Sequence, residues 1–197
     1  MFVTLEGPDG SGKSTQAELL RASLVAEGRE VVLTREPGGT ELGERIRELV
    51  LDGGEMSAWA EAALFAASRA QHVDRVIGPA LGRGADVVCD RYVDSSLAYQ
   101  GIARGLGVDE VLDLNLRVTG GLLPDATVLL LLDPETASGR AGATDRLERE
   151  GPDFHVRVDA AYRELAGRFP ERILVVDGDR PREELAEEIR ERLRVRS

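Results

Sequence analysis

The sequence predicts a three-layer α/β/α domain with a parallel sheet of about five strands. Short apolar runs alternate with longer segments of helical spacing, and strands separated by helices form parallel sheets through right-handed crossovers. The runs are rich in β-branched residues and apolar throughout, which is typical of strands buried on both faces. The candidate strands are residues 2–5, 31–33, 87–89, 127–132 and 173–176.

The segments between these strands have the features of helices. Residues 14–26 carry apolar side chains on one face, and Gly28 provides the stop. Residues 58–81 form a long, alanine-rich stretch. Pro181 is followed by acidic residues, which is typical of the first turn of a helix. The sequence thus supplies a helix to follow most of the strands.

Composition and net charge limit the classes of function that this chain can have. The 197 residues predict one domain spanning 1–197, and 42% of them are hydrophobic, enough for a core without disulfides. The net charge of −11 argues against a general nucleic-acid binder, because phosphate backbones need a positive surface. The chain has a single cysteine, Cys89, which excludes an internal disulfide. With only two histidines beside it, a zinc site built from cysteine and histidine is improbable.

The chain shows neither a targeting signal nor a membrane segment. The first apolar run has no basic region before it, and no apolar run approaches the ~20 residues that a membrane helix needs. We therefore expect a cytoplasmic protein that does not associate with membranes.

A phosphate-binding loop follows the first strand. Residues 7–14 read G-P-D-G-S-G-K-S and match G-x-x-x-x-G-K-[ST], with a strand before and a helix after. Glycines let backbone N–H groups surround phosphate oxygens, the lysine adds a compact positive charge, and the serine hydroxyl can bind Mg²⁺. The sequence thus predicts a P-loop NTPase fold whose ATP phosphates meet Gly7, Pro8, Asp9, Gly10, Ser11, Gly12, Lys13, Ser14 and Thr15.

Lys13 also narrows the class of P-loop protein. It is the only lysine among 25 basic residues, so the N-K-x-D motif that reads guanine in GTPases cannot occur. The chain is too short for the large motor ATPases. Small-molecule kinases, which add an acceptor pocket to this fold, fit best.

Four further motifs follow in a fixed order. They are T-R-E-P-G-G-T at 34–40, L-F-A-A-S-R at 64–69, D-R-Y at 90–92 and D-S-S-L-A-Y-Q-G at 94–101. Together with the P-loop they resemble the thymidylate kinase family, which transfers the γ-phosphoryl group of Mg-ATP to dTMP and gives dTDP. The resemblance covers the whole chain, most weakly the last 50 or so residues, and implies a mobile lid and a homodimer.

The resemblance implies how the base is bound. Phe65 and Arg69 lie four residues apart on one helix face, where a ring can stack on thymine and a guanidinium can donate to a carbonyl. Spacing alone favours core packing for Phe65 and a solvated helix face for Arg69, and the resemblance reverses both interpretations. Ser96 and Gln100 are assigned to the Watson–Crick edge, although a serine there also fits a helix cap.

It also implies contacts to the sugar, the phosphates and the metal. Arg91 is assigned to the acceptor phosphate, Tyr92 to the 2′ side of the sugar and Asp90 to the surroundings of Mg²⁺. Asp9 aligns acceptor with donor in this interpretation, or is simply a turn residue. Arg35 and Arg47 are expected as further phosphate contacts, with a surface ion pair as the alternative for Arg47. The complete expected acceptor site is Glu36, Arg47, Phe65, Arg69, Arg91, Tyr92, Ser96, Tyr99 and Gln100.

A polar segment at about 137–153 is the expected lid. The P-loop has no basic residue between its glycines, so an arginine at the transferring phosphoryl group must come from elsewhere. The family resemblance indicates a lid arginine, with Arg146 the first candidate and Arg140 the second. In the alternative interpretation, these arginines merely offset the acidic charge of Glu148 and Glu150.

Two other functions compete with this one. The chain could be a different nucleoside monophosphate kinase or a deoxynucleoside kinase of the same fold. It could also bind nucleotide as a regulator without phosphoryl transfer, which predicts loss of the acceptor site. Phe65, Arg69, Arg91 and Gln100 are all present, which argues against the regulator.

Overall fold

The computed structural model describes residues 1–132 and 145–194, which form a parallel sheet flanked by helices. Its strand order is β2-β3-β1-β4-β5, and every pairing is parallel. The predicted α/β class and its five strands are confirmed, with ends that differ by a few residues. The strands are β1 (Phe2–Glu6), β2 (Val31–Arg35), β3 (Asp86–Asp90), β4 (Ala126–Leu131) and β5 (Ile173–Asp177).

Helices follow the strands on both faces of the sheet. They are α1 (Lys13–Ala26), α2 (Glu41–Asp52), α3 (Ala58–His72), α4 (Gly78–Gly82), α5 (Val93–Ser96), α6 (Val108–Thr119), α7 (Pro152–Arg168) and α8 (Arg182–Arg194). Two π-helical stretches, Val73–Ile77 and Leu97–Ala103, continue α3 and α5.

Two apolar cores lie on opposite faces of the sheet. One joins β1 to α1 and α8 through residues such as Leu5, Leu20 and Ile189. The other packs α3, α6 and α7 against the opposite face. A fully buried leucine contributes roughly 1.5–3 kcal/mol, so the cores fix the sheet and the strand ends.

The long helix expected at 58–81 is interrupted. α3 ends at His72, the π-helical turn Val73–Ile77 follows, and α4 then carries the chain to Gly82. Pro79 lies just beyond the wide turn and has no N–H to donate to the preceding turn, which explains a local change of helical pitch. Apolar periodicity does not reveal one extra residue in a turn.

The expected lid is described only in part. Residues 137–144, and Arg140 with them, lie outside the described residues. Residues 145–150 form turns, and α7 begins at Pro152. Within 1–132 and 145–194, every helix is too short or too polar to span a membrane.

The register brings the carboxyl ends of three strands together. β1, β2 and β3 are neighbours, with Leu5 and Arg35 both paired to Asp90. The residues that follow these strands therefore emerge at one edge of the sheet, where ligands bind in open α/β folds. The P-loop, the segment after β2 and the D-R-Y motif meet there.

Candidate active site

The P-loop connects β1 to α1 in a conformation that needs glycine. Gly7, Gly10 and Gly12 have φ angles of 137°, 75° and 87°, which L side chains rarely adopt. A Cβ on Gly7 would lie 2.2 Å from the carbonyl oxygen of Leu130, so the loop could not approach β4 with any other residue. The loop thus leaves its N–H groups available for an anion at the start of α1.

Lys13 lies folded into this loop. Its Nζ donates to the carbonyl oxygen of Pro8 at 2.7 Å and to the hydroxyl of Ser11 at 3.4 Å. Burial and, to a smaller extent, the charge of Arg91 lower the pKa of Lys13 to about 8 against the opposing effect of Asp9. The lysine is therefore ready to become fully charged when an anion arrives.

This lowered pKa predicts proton uptake on ATP binding. Below about pH 7 Lys13 is already protonated, but near pH 9 most of it is neutral, and a polyphosphate raises its pKa again. Between pH 7 and pH 9 we therefore expect the number of protons taken up per ATP bound to rise from near zero to most of one. The phosphates do not contribute to this rise, because their pKa of about 6 lies below the range. Isothermal titration calorimetry in two buffers of different ionisation enthalpy measures it, and Lys13→Met should abolish the rise. Uptake that stays flat with pH would contradict the lowered pKa.

The hydroxyl of Ser14 and the carboxylate of Asp90 form a pair of oxygen ligands beside the loop. Ser14 Oγ donates to Asp90 Oδ2, and both residues line the cavity described below. Mg²⁺ prefers oxygen ligands and usually combines one or two of them with phosphate oxygens and water. In the described residues no three-membered His, Cys, Asp or Glu cluster could hold a metal by itself. The residues present therefore fit a magnesium ion that arrives with a nucleotide.

One cavity of about 470 Å³ connects the P-loop to the predicted acceptor site. Its walls come from the P-loop, the segments that follow β2 and β3, the face of α3 and the turns at 145–148. The lining residues include the following polar, charged and aromatic side chains: Asp9, Lys13, Ser14, Glu36, Arg47, Phe65, Asp90, Arg91, Ser96, Tyr99 and Gln100. A pocket of this size suits a small-molecule ligand.

Arg91 lies between the two halves of this cavity. Its backbone has a φ of 69°, and its guanidinium donates to the Gly7 carbonyl oxygen at 3.0 Å and to the hydroxyls of Ser95 and Tyr162 at 3.1 Å. It also forms an ion pair with Asp9. Burial alone would lower the pKa of Arg91, but Asp9 holds it well above its usual value. A fixed positive charge therefore lies between the P-loop and the segment that follows β3.

A buried carboxylate supports Arg91 from behind. Glu6 accepts hydrogen bonds from the Tyr92 N–H at 2.7 Å, the Ser95 hydroxyl at 2.6 Å and the Tyr162 hydroxyl at 3.3 Å. Burial raises the pKa of Glu6 to about 7, and the neighbouring Asp94 carboxylate adds to the rise. Glu6 therefore ties the D-R-Y segment to the strand that carries the P-loop.

Similarity to known proteins shows which family this chain belongs to. The family model described as "Thymidylate kinase" matches residues 5–189. A thymidylate kinase from Clavibacter michiganensis is 57% identical over 98% of this chain and 93% of its own length. Those from Leifsonia xyli and Cutibacterium acnes are 57% and 51% identical, each over 98% of this chain and 94% and 96% of their own. The chain belongs to the thymidylate kinase family. The family resemblance inferred from the five motifs is therefore confirmed.

Several residues that the thymidylate kinase resemblance assigned to the acceptor do line the cavity. Phe65 presents its ring from α3, and Ser96 and Gln100 face the same space from α5 and the π-helical stretch after it. Tyr99 also lines it and donates to Asp9 Oδ2 at 3.3 Å. The helical prediction for residues 94–100, which puts these side chains on one side, agrees with the structure.

Arg69 and Tyr92 are placed differently from the thymidylate kinase expectation. Neither lines the cavity: Arg69 is 2% exposed and the Tyr92 side chain is fully buried. Four of the five N–H donors of Arg69 bond the acceptors Glu36, Ser96, Asn115 and the Tyr92 carbonyl oxygen. The Tyr92 hydroxyl donates to Leu122 at 3.2 Å, so its ring is part of the core and cannot crowd a sugar.

The remaining predicted contacts are divided between the cavity and its supports. Glu36 lines the cavity, but its two oxygens already accept from Arg69 at 2.7 Å and pair with His72 at 2.9 Å. Arg47 lines the cavity and donates to the Pro37 carbonyl oxygen, and burial lowers its pKa with help from Arg35. Arg35 also lines the cavity and pairs with Glu44 at 2.8 Å, so part of the predicted surface ion pairing is present at Arg35 rather than Arg47.

Arg146 does not reach the P-loop in this structure. Its guanidinium donates to the Val50 carbonyl oxygen at 2.9 Å and to Glu61 at 2.7 Å, and none of these three residues lines the cavity. The neighbours Asp145, Leu147 and Glu148 line the cavity instead. Buried Glu61 attracts the arginine more strongly than solvent does, which the local sequence could not indicate.

Sequence reasoning missed the side chains that hold the site from behind. Glu6, Glu61, Ser95 and Tyr162 all bond a cavity residue or its immediate support. Two of them carried a usable signal: Glu61 lies one helical turn before Phe65, and Glu6 directly precedes the P-loop. Ser95 lies only four residues from Arg91, but its bond to Glu6 and the bond of Tyr162 to Arg91 join residues far apart in the sequence.

Proposed function

We propose that this chain transfers the γ-phosphoryl group of ATP to dTMP, giving dTDP and ADP. The observation that supports it best is the single cavity that joins the P-loop to Phe65, Ser96 and Gln100, with Arg91 between them. Membership of the thymidylate kinase family supports the same reaction. A regulator that only binds nucleotide would not need this second half of the cavity.

The chemistry needs positioning and charge, not a covalent intermediate. The γ-phosphoryl group moves in line to an acceptor phosphate oxygen through a loose transition state whose charge must be spread. Lys13 and the P-loop N–H groups hold the donor phosphates, and Arg91 holds the acceptor phosphate beside them. Asp9 fixes Arg91 through their ion pair and stays ionised, because Arg91 and Lys13 lower its pKa against the effect of burial.

Magnesium completes the donor site. Ser14 would bind the ion directly, and Asp90 would hold Ser14 and the water around the ion. When bound, the ion neutralises phosphate charge and polarises the phosphoryl oxygens. The lid arginine expected at the transferring group stays a prediction, with Arg146 the first candidate and Arg140 the second. Arg146 would have to leave Glu61 to serve there. The homodimer, the cytoplasmic location and the single domain over 1–197 also stay predictions.

A substrate panel tests the proposed function. With Mg-ATP as donor, we expect dTMP to be phosphorylated with a kcat/KM at least about 10²-fold above that of dCMP or AMP, since a buried hydrogen-bonding site rejects a mismatched base strongly. A coupled assay for ADP release measures each acceptor. A profile in which dTMP is no better than AMP would instead indicate a kinase for another nucleoside monophosphate.

A further inference from the structure

Glu61 is a buried carboxylate next to the residue that meets the base. It is 1% exposed and lies on α3, one turn before Phe65. Its Oε1 accepts from Gln100 Nε2 at 2.8 Å and from Arg104 Nε at 3.3 Å. Its Oε2 accepts from Arg146 Nη2 at 2.7 Å and from Arg104 Nη2 at 3.1 Å. Two side chains from one helical stretch, Gln100 and Arg104, and one from the turns at 145–150, Arg146, thus converge on one carboxylate.

The charge state of Glu61 decides which way the Gln100 amide faces. Burial alone would raise the pKa of Glu61, but the hydrogen bonds from Gln100, Arg104 and Arg146 lower it below its usual value. An ionised carboxylate only accepts hydrogen bonds, so Gln100 has to turn its NH₂ group toward Glu61. The amide oxygen of Gln100 is then the atom left for the cavity that Gln100 lines.

We propose that Glu61 is a positioning residue that makes Gln100 an acceptor toward the pyrimidine, and that it thereby selects bases with a hydrogen on N3. Thymine and uracil carry that hydrogen, whereas cytosine carries a lone pair at the same place. A fixed acceptor at Gln100 forms a hydrogen bond with thymine or uracil and repels the lone pair of cytosine. The site therefore selects its base by an unfavourable contact as well as by a favourable one. The proposal rests on the proposed function, since it concerns the acceptor of the same reaction.

The two arginines give this arrangement its stability. A buried carboxylate without partners would take up a proton, and a protonated Glu61 could donate to Gln100 and reverse its amide. Arg104 and Arg146 prevent this by occupying both oxygens with charged donors. Arg146 thus acts on the base pocket indirectly, through its ion pair with Glu61.

Glu61→Gln should reverse the amide of Gln100. Arg104 and Arg146 have only donors, so they keep the oxygen of the introduced glutamine and leave its NH₂ group for Gln100. Gln100 must then turn its oxygen toward position 61 and its NH₂ group toward the base. We expect the ratio of kcat/KM for dTMP to that for dCMP to fall about tenfold or more, mostly through a higher KM for dTMP, the value of one buried hydrogen bond.

Three further variants distinguish a positioning role of Glu61 from general damage to the fold. Glu150→Gln removes another carboxylate that pairs with Arg104, but one that does not touch Gln100, and should leave the dTMP/dCMP ratio unchanged. In a Gln100→Ala background, Glu61→Gln should have no further effect on the ratio. If Glu61→Gln fails to fold, Glu61→Asp, which keeps the charge but shortens the side chain, must lower the ratio in the same direction.

The outcomes distinguish this proposal from the proposed function. A wild-type enzyme that does not prefer dTMP to dCMP would contradict the function itself. A wild-type enzyme that does prefer dTMP, with a Glu61→Gln variant that loses activity on dTMP and dCMP equally, would overturn the role of Glu61 and leave the function standing. A full effect of Glu61→Gln in the Gln100→Ala background would overturn it as well.

Discussion

Replacing Lys13 with arginine is expected to lower kcat with saturating ATP and dTMP by about 10³-fold, the scale on which single charged groups act in phosphoryl transfer. Both side chains are positive, so the loss tests geometry and not charge. Lys13 is 7% exposed, and its Nζ lies within 2.7 Å of the Pro8 carbonyl oxygen inside the loop. A planar guanidinium with five donors is too wide for that space, and it cannot act as a compact charge between two phosphates.

The control for Lys13→Arg is an exchange of the same two residue types at an exposed position. Arg45→Lys on α2 keeps an exposed pair with Glu41, and we expect kcat and the thermal midpoint to stay within error. The thermal midpoint of Lys13→Arg should also change little, because the substitution disturbs the loop and not the core. A Lys13→Arg enzyme within about tenfold of wild-type kcat would show that the loop does not need a point charge.

The strands and the P-loop could be predicted from the sequence because residues close together in the chain determine them. The strands are continuous apolar runs, and the P-loop is a contiguous motif whose glycines adopt the positive φ angles that it requires. Ser96 and Gln100 lie four residues apart, so predicting that both face one side needed only the period of a helix.

The structure departs from the expected placement where burial, not spacing, decides what a side chain touches. Tyr92 and Tyr99 are both tyrosines of conspicuous motifs, but only Tyr99 reaches the cavity, because Tyr92 packs edge-on against Phe2 in the core. Arg69 has the helix position of a ligand contact, yet Glu36 and Asn115, from two other elements, surround it. No single-sequence pattern could place Arg146 on Glu61, 85 residues earlier in the chain.

Arg91→Lys is expected to separate the acceptor half of the cavity from the donor half. The guanidinium bonds Gly7, Asp9, Ser95 and Tyr162 at once, and a lysine with three donors on a flexible stem cannot keep this set and still meet a phosphate. We expect kcat/KM for dTMP to fall about 10²–10³-fold, since both binding and transition-state charge are lost. The affinity for ATP should change by no more than about fivefold, because Lys13 and the P-loop N–H groups hold the donor.

A smaller substitution behind Arg91 provides the matched comparison. Tyr162→Phe removes one hydroxyl that accepts from Arg91 and donates to Glu6, and it leaves the other partners of Arg91 in place. Of the bonds removed, the one to Arg91 bears directly on the acceptor; it is worth about 1 kcal/mol, so we expect a loss of about fivefold in kcat/KM. Steady-state kinetics with each substrate varied, together with calorimetric ATP binding, distinguish the two halves. If Arg91→Lys weakened ATP and dTMP equally, Arg91 would serve the donor as much as the acceptor, and the division of the cavity proposed above would be wrong.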